Sequence, residues 1–583
     1  MVRIILSVLL LFGYVYSFER CLELFKNEEL LKAERCFNSV KKDHPLYPYS
    51  LYYRVLISSV YDGDYSGLLN EMEKYRDMAV YSYTYLYLAS TDRYGNRKRG
   101  GKFLEKVNPQ ALDRDDLPFY TFLKAFYSGN KKDMEKLIGK YGYERFYGYP
   151  MFLKNADKLS EKLIYQAVDS MVRKRMYRRA LKSLGFVKDS DKKRLYLAVL
   201  NGRLRQFDEA FSYLVKLPEK YRAKASYTLI RLNPEYSLQL ALFQILKETK
   251  NRELTIRAAD YMMKRAFYRK KWKDFGYFAG FIPEVSPLYA DRVWYRFLRL
   301  YTQGKKTTAG RYLEKNLRYF KDKETVYYWL YLAFKNSSRK KAMGYLKKAA
   351  SVKKVSFYAI RAREKLGKKL FKVKNIKTSS KDEPVLRMIS WLKKLDYRWA
   401  YREAVFYRKK GDKKALASVF PEATAIYFSS DRYVSTLSHP KPFISINDEN
   451  ITYAIMRRES FFNPYAVSVS NAVGLMQIIP PTAKWISKRI KDRDFDITQL
   501  FVPEKNIQYG VWYIKYLNRQ FKGNIFYLMA AYNCGPANVR KVLRKNRIKN
   551  IEEFIELIPF RETRYYVKYV YTNYRVYQHL YRD

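Results

Sequence analysis

The stretch Arg457-Arg458-Glu459-Ser460-Phe461-Phe462-Asn463-Pro464, followed by Gly474-Leu475-Met476-Gln477, holds the clearest chemistry in this chain. It sets one glutamate at the end of an apolar helical run, with small and amide side chains close behind. Apolar neighbours disfavour the charged form of a carboxyl and raise its pKa. A glutamic acid still protonated near neutral pH is a general acid, able to protonate a leaving oxygen. The bland alternative is a helix-terminal glutamate paired with Arg457 or Arg458, and the motif alone leaves both open.

The elements that must hold this residue are helical. Ser445 to Asn450 is rich in N-capping types and predicts a helix from about Asp448 to Ser460. Ile451, Ile455 and Phe462 fall on one stripe, Glu459 flanks it, and Asn463-Pro464 stops the helix just beyond. Pro480-Pro481-Thr482 restarts a helix to about Arg489. Further helices are predicted over Glu504–Phe521, Ile525–Cys534, Pro536–Lys545 and Arg561–Leu580. No segment alternates as a long strand does.

Upstream, from about Phe18 to Gly367, apolar and aromatic residues recur three and four apart, and Gly and Pro are sparse. Ala33 precedes Phe37 by four, as Ala180 precedes Leu184, Ala210 Leu214 and Ala342 Leu346. A small residue lets neighbouring helices approach, and the large one fills the gap. The pattern is that of a superhelical array of helix pairs with an irregular repeat. The many tyrosines on these helices are expected to pack between them. Lys372 to Lys381 loses the apolar period. Pro384 opens a second helical segment to about Tyr433, broken at Gly411-Asp412, and His439-Pro440-Lys441-Pro442 is a rigid joint.

Four blocks then stand in order: Glu459-Ser460-x-x-Asn463-Pro464 with Ser468; Ala472-x-Gly474-Leu475-Met476-Gln477 with Pro480-x-Thr482-Ala483; Ala530-Ala531-Tyr532-Asn533-x-Gly535; and Ile558-Pro559-x-x-Glu562-Thr563-Arg564-x-Tyr566-Val567. Together they resemble the catalytic domain of the soluble lytic transglycosylases of the lysozyme superfamily, closely over about Phe443 to Asp583. The resemblance is looser over the rest, where Phe357-Tyr358-Ala359 to Leu366-Gly367 is similar to the end of the family's superhelix. It implies a mainly α chain with four parts: a signal peptide (1–17), an α-superhelical domain (18–370), a small helical linker domain (371–439) and a C-terminal lysozyme-like catalytic domain (440–583). It also implies cleavage of the β-1,4 bond between N-acetylmuramic acid and N-acetylglucosamine in peptidoglycan. The muramyl C6 hydroxyl attacks its own C1 to leave a 1,6-anhydro end, and Glu459 serves as the single acid and base. Such an intramolecular nucleophile has a high effective concentration, so no second carboxylate is required to activate water.

By the same resemblance Ser468, Gln477, Tyr532, Asn533, Glu562 and Tyr566 contact the saccharide or line its cleft. Local capping or core packing is the alternative for Ser468 and Tyr566. Met476 also falls in the cleft block, although core packing is the favoured reading of it. Arg564 reads as an ion-pair partner of Glu562 or another carboxylate. Three positions depart from the family: Ile479 where Met is common, Asn471 where Gly is usual, and Cys534 where Ala is usual. Asn tolerates a left-handed backbone, so the turn at Asn471 survives. Two other readings stay open. One is a water-dependent muramidase, with Asp492, Asp494 or Asp496 as the second carboxylate. The other is an inactive helical scaffold that binds the wall.

The bulk numbers fit a secreted wall protein. The chain of 583 residues carries 114 Lys+Arg against 57 Asp+Glu, a net charge of +57. That charge attracts polyanions or serves as a solubilising surface. The basic residues are scattered without a Lys/Arg tract, so nucleic acid is not expected as a partner. Arg3, the apolar run Ile4–Phe12 and Val15-Tyr16-Ser17 read as a signal peptide, with an uncleaved anchor as the alternative. The resulting expectation is a periplasmic monomer that acts on peptidoglycan glycan strands, with envelope or wall-synthesis proteins as further candidate partners. Cys21 and Cys36 can bond in an oxidising compartment or stay free. The three histidines are far apart and no CxxC or HExxH occurs, so neither a metal nor a cofactor is expected.

Overall fold

The computed structural model describes residues 18–581 apart from 62, 93–95, 113–115, 131, 135, 138–159, 174, 234, 380–382, 444–448 and 469. The apolar stretch read as a signal peptide lies outside the described residues. Among those described, the regular structure is helical, with only isolated β-bridges. Among the described residues no helix is long and apolar enough to cross a membrane.

The chain divides into two compact units, each assembled from segments distant in sequence. The first joins the N-terminal helices to residues 376–428. Phe37 and Tyr53 stack at 4.9 Å, and Phe18 meets Phe37 edge-on. Cys21 and Cys36 form a disulfide nearby, which settles the open choice of the sequence reading for the bonded state. Trp399, on the helix Tyr397–Lys410, is surrounded by Tyr49, Tyr52 and Tyr83. One turn on, the buried carboxylate of Glu403 accepts hydrogen bonds from Tyr49 Oη (2.6 Å) and from the backbone N–H groups of Ala79 (2.9 Å) and Val80 (3.0 Å). The carboxyl thus sits at the N-terminus of the helix Ala79–Thr91; burial raises its pKa, and the Tyr49 hydroxyl and the free N–H groups oppose that rise. The predicted second helical segment breaks at Asp412 as expected and also at Asp396 and Phe420. The Asp396 side chain caps the helix Tyr397–Lys410 through the N–H groups of Arg398 and Trp399.

The second unit combines residues 155–375 and 429–439 with residues 443–583. From Glu161–Arg173 to Phe357–Lys365, helices pack on the next in sequence and, along much of the run, on the next but one. The expected small–large pairs are its packing units: Ala180 with Leu184, Ala210 with Leu214 and Ala342 with Leu346 are all buried. Trp329 is fully buried among Trp294, Phe297 and Tyr301.

The C-terminal segment consists of α1 (Glu449–Glu459), α2 (Pro480–Ile490), α3 (Pro503–Gln520), α4 (Ile525–Cys534), α5 (Pro536–Lys545), α6 (Ile551–Leu557) and α7 (Arg561–Leu580). The long α7 packs against both α1 and α4. The sequence places six of these within a residue or so; α6 is an addition. Its residues Glu552, Glu553 and Glu556 are all nearly inaccessible. Glu552 accepts from Tyr328 Oη (2.8 Å) and Arg361, and Glu556 from Tyr358 Oη (2.8 Å) and Lys568 (2.6 Å). Burial alone drives the Glu556 carboxyl up, but Lys568 and Arg564 hold it below the ordinary value. Buried charges of this kind are tolerated because each is paired and hydrogen-bonded.

Candidate active site

Glu459 is the last residue of α1. The next two residues that turn the chain, Phe461 (φ +53) and Phe462 (φ +66), adopt left-handed conformations that cost a bulky L-residue about 1–2 kcal/mol each. Phe462 is completely buried and anchors that turn, with Ile451 and Ile455 on the expected stripe. The helix therefore stops abruptly, leaving Glu459 at its end, partly open to solvent. Burial pushes its carboxyl up to about 7; the Tyr566 hydroxyl and Arg458 oppose this, and Glu562 reinforces it. Neither arginine is its ion-pair partner. Arg457 donates to Ser438 O and Ser429 Oγ and lies over the Phe461 ring, while Arg458 lies over Tyr569. Of the two readings of this glutamate, the geometry favours the protonated acid.

The loop after α1 is a small β-element held by bridges from Val473 to Val467 and Ile478. Its tight turns use the residues singled out in the sequence: Asn471 at φ +60, Gly474 at φ +77 and Gln477 at φ +48. A Cβ on Gly474 would lie 2.2 Å from Asn506 Nδ2. Asn506, on α3 and fully buried, pins this loop. Its Oδ1 accepts from Met476 N (2.7 Å), and its Nδ2 donates to Val473 O (3.0 Å) and Leu500 O (2.8 Å).

The predicted site residues divide by what they touch. Tyr532, at the end of α4, donates to Met476 O (2.8 Å), and its ring lies where the Glu459 charge acts on it. Asn533 accepts from Thr563 Oγ1 (2.7 Å), linking α4 to α7. Gly535 (φ +85) closes α4 as expected. Tyr566 is buried against Glu459, yet its hydroxyl makes no hydrogen bond of full geometry within the chain. Glu562, one turn earlier on α7, is exposed. Gln477 donates to Ala466 O and Gly474 O, and Ser468 Oγ accepts from the N–H groups of Ser470 and Ala472. Both bind their own loop here. The Met476 side chain is fully buried against Gly510, the packing role favoured for it from sequence. Tyr532, Tyr566 and Glu562 thus each interact electrostatically with Glu459, and Met476 joins through its backbone carbonyl.

Arg564 differs from its expectation. It pairs with no carboxylate at hydrogen-bond distance but donates to Tyr268 Oη (2.6 Å), Ile558 O (2.7 Å) and Tyr295 Oη (3.2 Å). Residues two apart on a helix point to opposite sides, which separates Arg564 from Glu562. Asp492 is engaged by Lys505 and Tyr509, and Asp496 caps the turn at Thr498. Cys534 is half-buried, and burial pushes its thiol up to about 11, away from a reactive thiolate. A cavity of about 1900 Å³ opens in the second unit between helices of residues 227–326 and residues 538–568. Glu562 and Arg564 reach it, together with basic residues such as Arg269, Lys541 and Arg561. Glu459 is not among the residues lining it.

Residues 445–555 match the Transglycosylase SLT domain. A soluble lytic murein transglycosylase of Salmonella typhimurium is 42% identical over 134 residues, which cover 22% of this chain and 21% of that protein. The chain thus aligns with about a fifth of the length of that curated relative. Over nearly its whole length the fold is similar to that of the 70-kDa soluble lytic transglycosylase of Escherichia coli, with 18% identity, 97% and 96% of the two chains covered and a TM-score of 0.67. An inactive variant of the lytic transglycosylase Slt of Pseudomonas aeruginosa is also similar, with 18% identity, 94% of each chain covered and a TM-score of 0.59. The chain carries a Transglycosylase SLT domain at its C-terminal end, within a fold shared with the soluble lytic transglycosylases.

Proposed function

We propose that this protein is a lytic transglycosylase that cleaves the N-acetylmuramic acid–β-1,4–N-acetylglucosamine bond of peptidoglycan and leaves 1,6-anhydromuramyl ends. The observation that carries the reading is Glu459, a carboxyl raised to about 7 at the end of α1 and faced by Tyr532, Tyr566 and Glu562. Half-protonated near neutral pH, it gives its proton to the leaving glycosidic oxygen. As a carboxylate it then takes the proton of the muramyl C6 hydroxyl as that oxygen closes on C1. The Tyr566 hydroxyl, lacking a full partner in the chain, is available to the carboxylate or the sugar. Gln477 and Ser468 hold the loop beside the acid in shape, and the hydroxyl of Ser468 retains a donor for saccharide.

We assign the helical array to 18–370, a linker to 371–439 and the catalytic domain to 440–583, with a signal peptide that delivers a monomer to the periplasm. The large positive charge favours retention on an anionic wall, so binding to sacculi is expected to weaken as salt rises.

One observation favours a second reading. Glu562 is an exposed carboxylate close enough to raise the Glu459 pKa, so it is a candidate base for a water-using muramidase. Mass spectrometry of sacculi digested by wild type and by Glu459→Gln separates the two. Anhydro-muropeptides from wild type alone support the transglycosylase. Reducing muramyl ends support the muramidase. Release by the Glu459→Gln protein equal to wild type removes Glu459 from the chemistry.

A further inference from the structure

We propose that Arg564 is a positioning residue through which the helical array sets the active-site geometry, with Tyr268 and Tyr295 as its two anchors. This rests on the reading of Glu459 as the acid. Arg564 lies in the first turns of α7, midway between Glu562 and Tyr566. At 100° per residue those two project from one side of α7 and Arg564 from the other. The Glu562–Tyr566 side meets the Glu459 carboxyl. The Arg564 side meets the array: its guanidinium spans Tyr268 Oη on the helix Arg252–Tyr268, Tyr295 Oη on the helix Tyr289–Thr302, and Ile558 O in the turn before α7.

The two tyrosine hydroxyls are 3.2 Å apart, and Tyr268 Oη also lies 3.3 Å from Glu556 O at the end of α6. Both ends of the α6–α7 turn are therefore tied to one pair of hydroxyls. Three donations from one planar fork fix both the position and the rotation of the helix start, which a flexible ammonium cannot do. Displacement of the first turns of α7 moves Glu562 and Tyr566 relative to Glu459.

The test uses the full chain. Tyr268→Phe/Tyr295→Phe keeps both rings and removes both oxygens, and Arg564→Lys keeps the charge and removes the fork. The readouts are kcat, KM and the pH profile of kcat on soluble glycan strands, beside thermal melting. Groups facing Glu459 are Arg458 on α1, Tyr532 on α4, and Glu562 and Tyr566 on α7. Loosening the start of α7 admits water to a carboxyl whose pKa is raised chiefly by burial. The basic limb of the profile is therefore expected to move down by about one pH unit. A fall in kcat of about 10- to 100-fold is expected with a smaller change in KM, as misplacement by about an ångström produces.

Both variants should show these changes, with a lowered melting temperature because buried groups lose hydrogen bonds. An unshifted pH profile in both variants overturns the proposal, even if kcat falls with stability. Were wild type inert on glycan, the functional reading would fail instead. Hydrogen exchange of residues 558–568 would then decide the clamp, with exchange unchanged from wild type counting against it.

Discussion

Replacement of Glu459 by Gln is predicted to stabilise the protein at alkaline pH while abolishing its acid. In the folded state the carboxyl holds its proton up to about 7, against an ordinary value of 4.5. Between these values the folded chain binds more protons than the unfolded chain, so stability falls as pH rises through the window. Each pKa unit is worth about 1.4 kcal/mol, so wild type loses about 3 kcal/mol from this group between pH 4 and pH 8. Gln is uncharged, nearly isosteric and free of this loss. The variant should match wild type at pH 4 and exceed it by up to about 3 kcal/mol at pH 8. The assay is hydrogen exchange by mass spectrometry, corrected for intrinsic rates and resolved to α1, α4 and α7, at both pH values. A difference between variant and wild type that is the same at pH 4 and pH 8 refutes the raised pKa and with it the electrostatic case for Glu459 as acid.

Other sites give independent outcomes. Tyr566→Phe removes a hydroxyl that favours the charged form of Glu459, so the basic limb of the pH–activity profile should move to higher pH; a downward shift contradicts the assignment. Asn506→Ala leaves one N–H and two carbonyls of the active-site loop unpartnered. At about 1–3 kcal/mol for a buried unpaired group, a loss of roughly 3–5 kcal/mol is expected in denaturant unfolding. Gly474→Ala should also destabilise, because it combines a positive φ with a contact at 2.2 Å. In the first unit, Glu403→Ala strips a hydroxyl and two helix N-terminal N–H groups of their acceptor. It should cost about 3 kcal/mol or more, whereas Glu403→Gln retains an acceptor oxygen and should cost less in the same melting experiment.

The helices and the acid were legible because local signals specify them. Alternation three and four apart, Pro at first turns, and Asn463-Pro464 and Gly535 as stops place α1 to α5 and α7 from residues near in sequence. The aspartate cap at Asp396 is equally local but lies within a continuous apolar pattern, where a single polar residue reads as surface. The short helix α6 was illegible for another reason. A segment with Glu552, Glu553 and Glu556 looks solvated, and only Tyr328, Tyr358 and Arg361, some two hundred residues upstream, make its burial possible. Arg564 shows the same limit: its spacing suggests a carboxylate partner, and its actual partners belong to helices nearly three hundred residues earlier. The motifs mark which residues approach the acid. They carry no information on what holds those residues from behind.

The acidic face of α6 bears on how the protein is made. Translation runs from N- to C-terminus, so Tyr328, Tyr358 and Arg361 leave the ribosome long before Glu552 and Glu556 exist to meet them. At roughly 5–20 residues per second the wait is about ten to forty seconds, with residues 376–428 threaded into a different unit meanwhile. During that interval the nascent array exposes the tyrosines that its own last segment covers. A ribosome stalled before residue 552 should therefore display a chaperone-binding chain, and release of the finished C-terminus should be the step that makes it soluble.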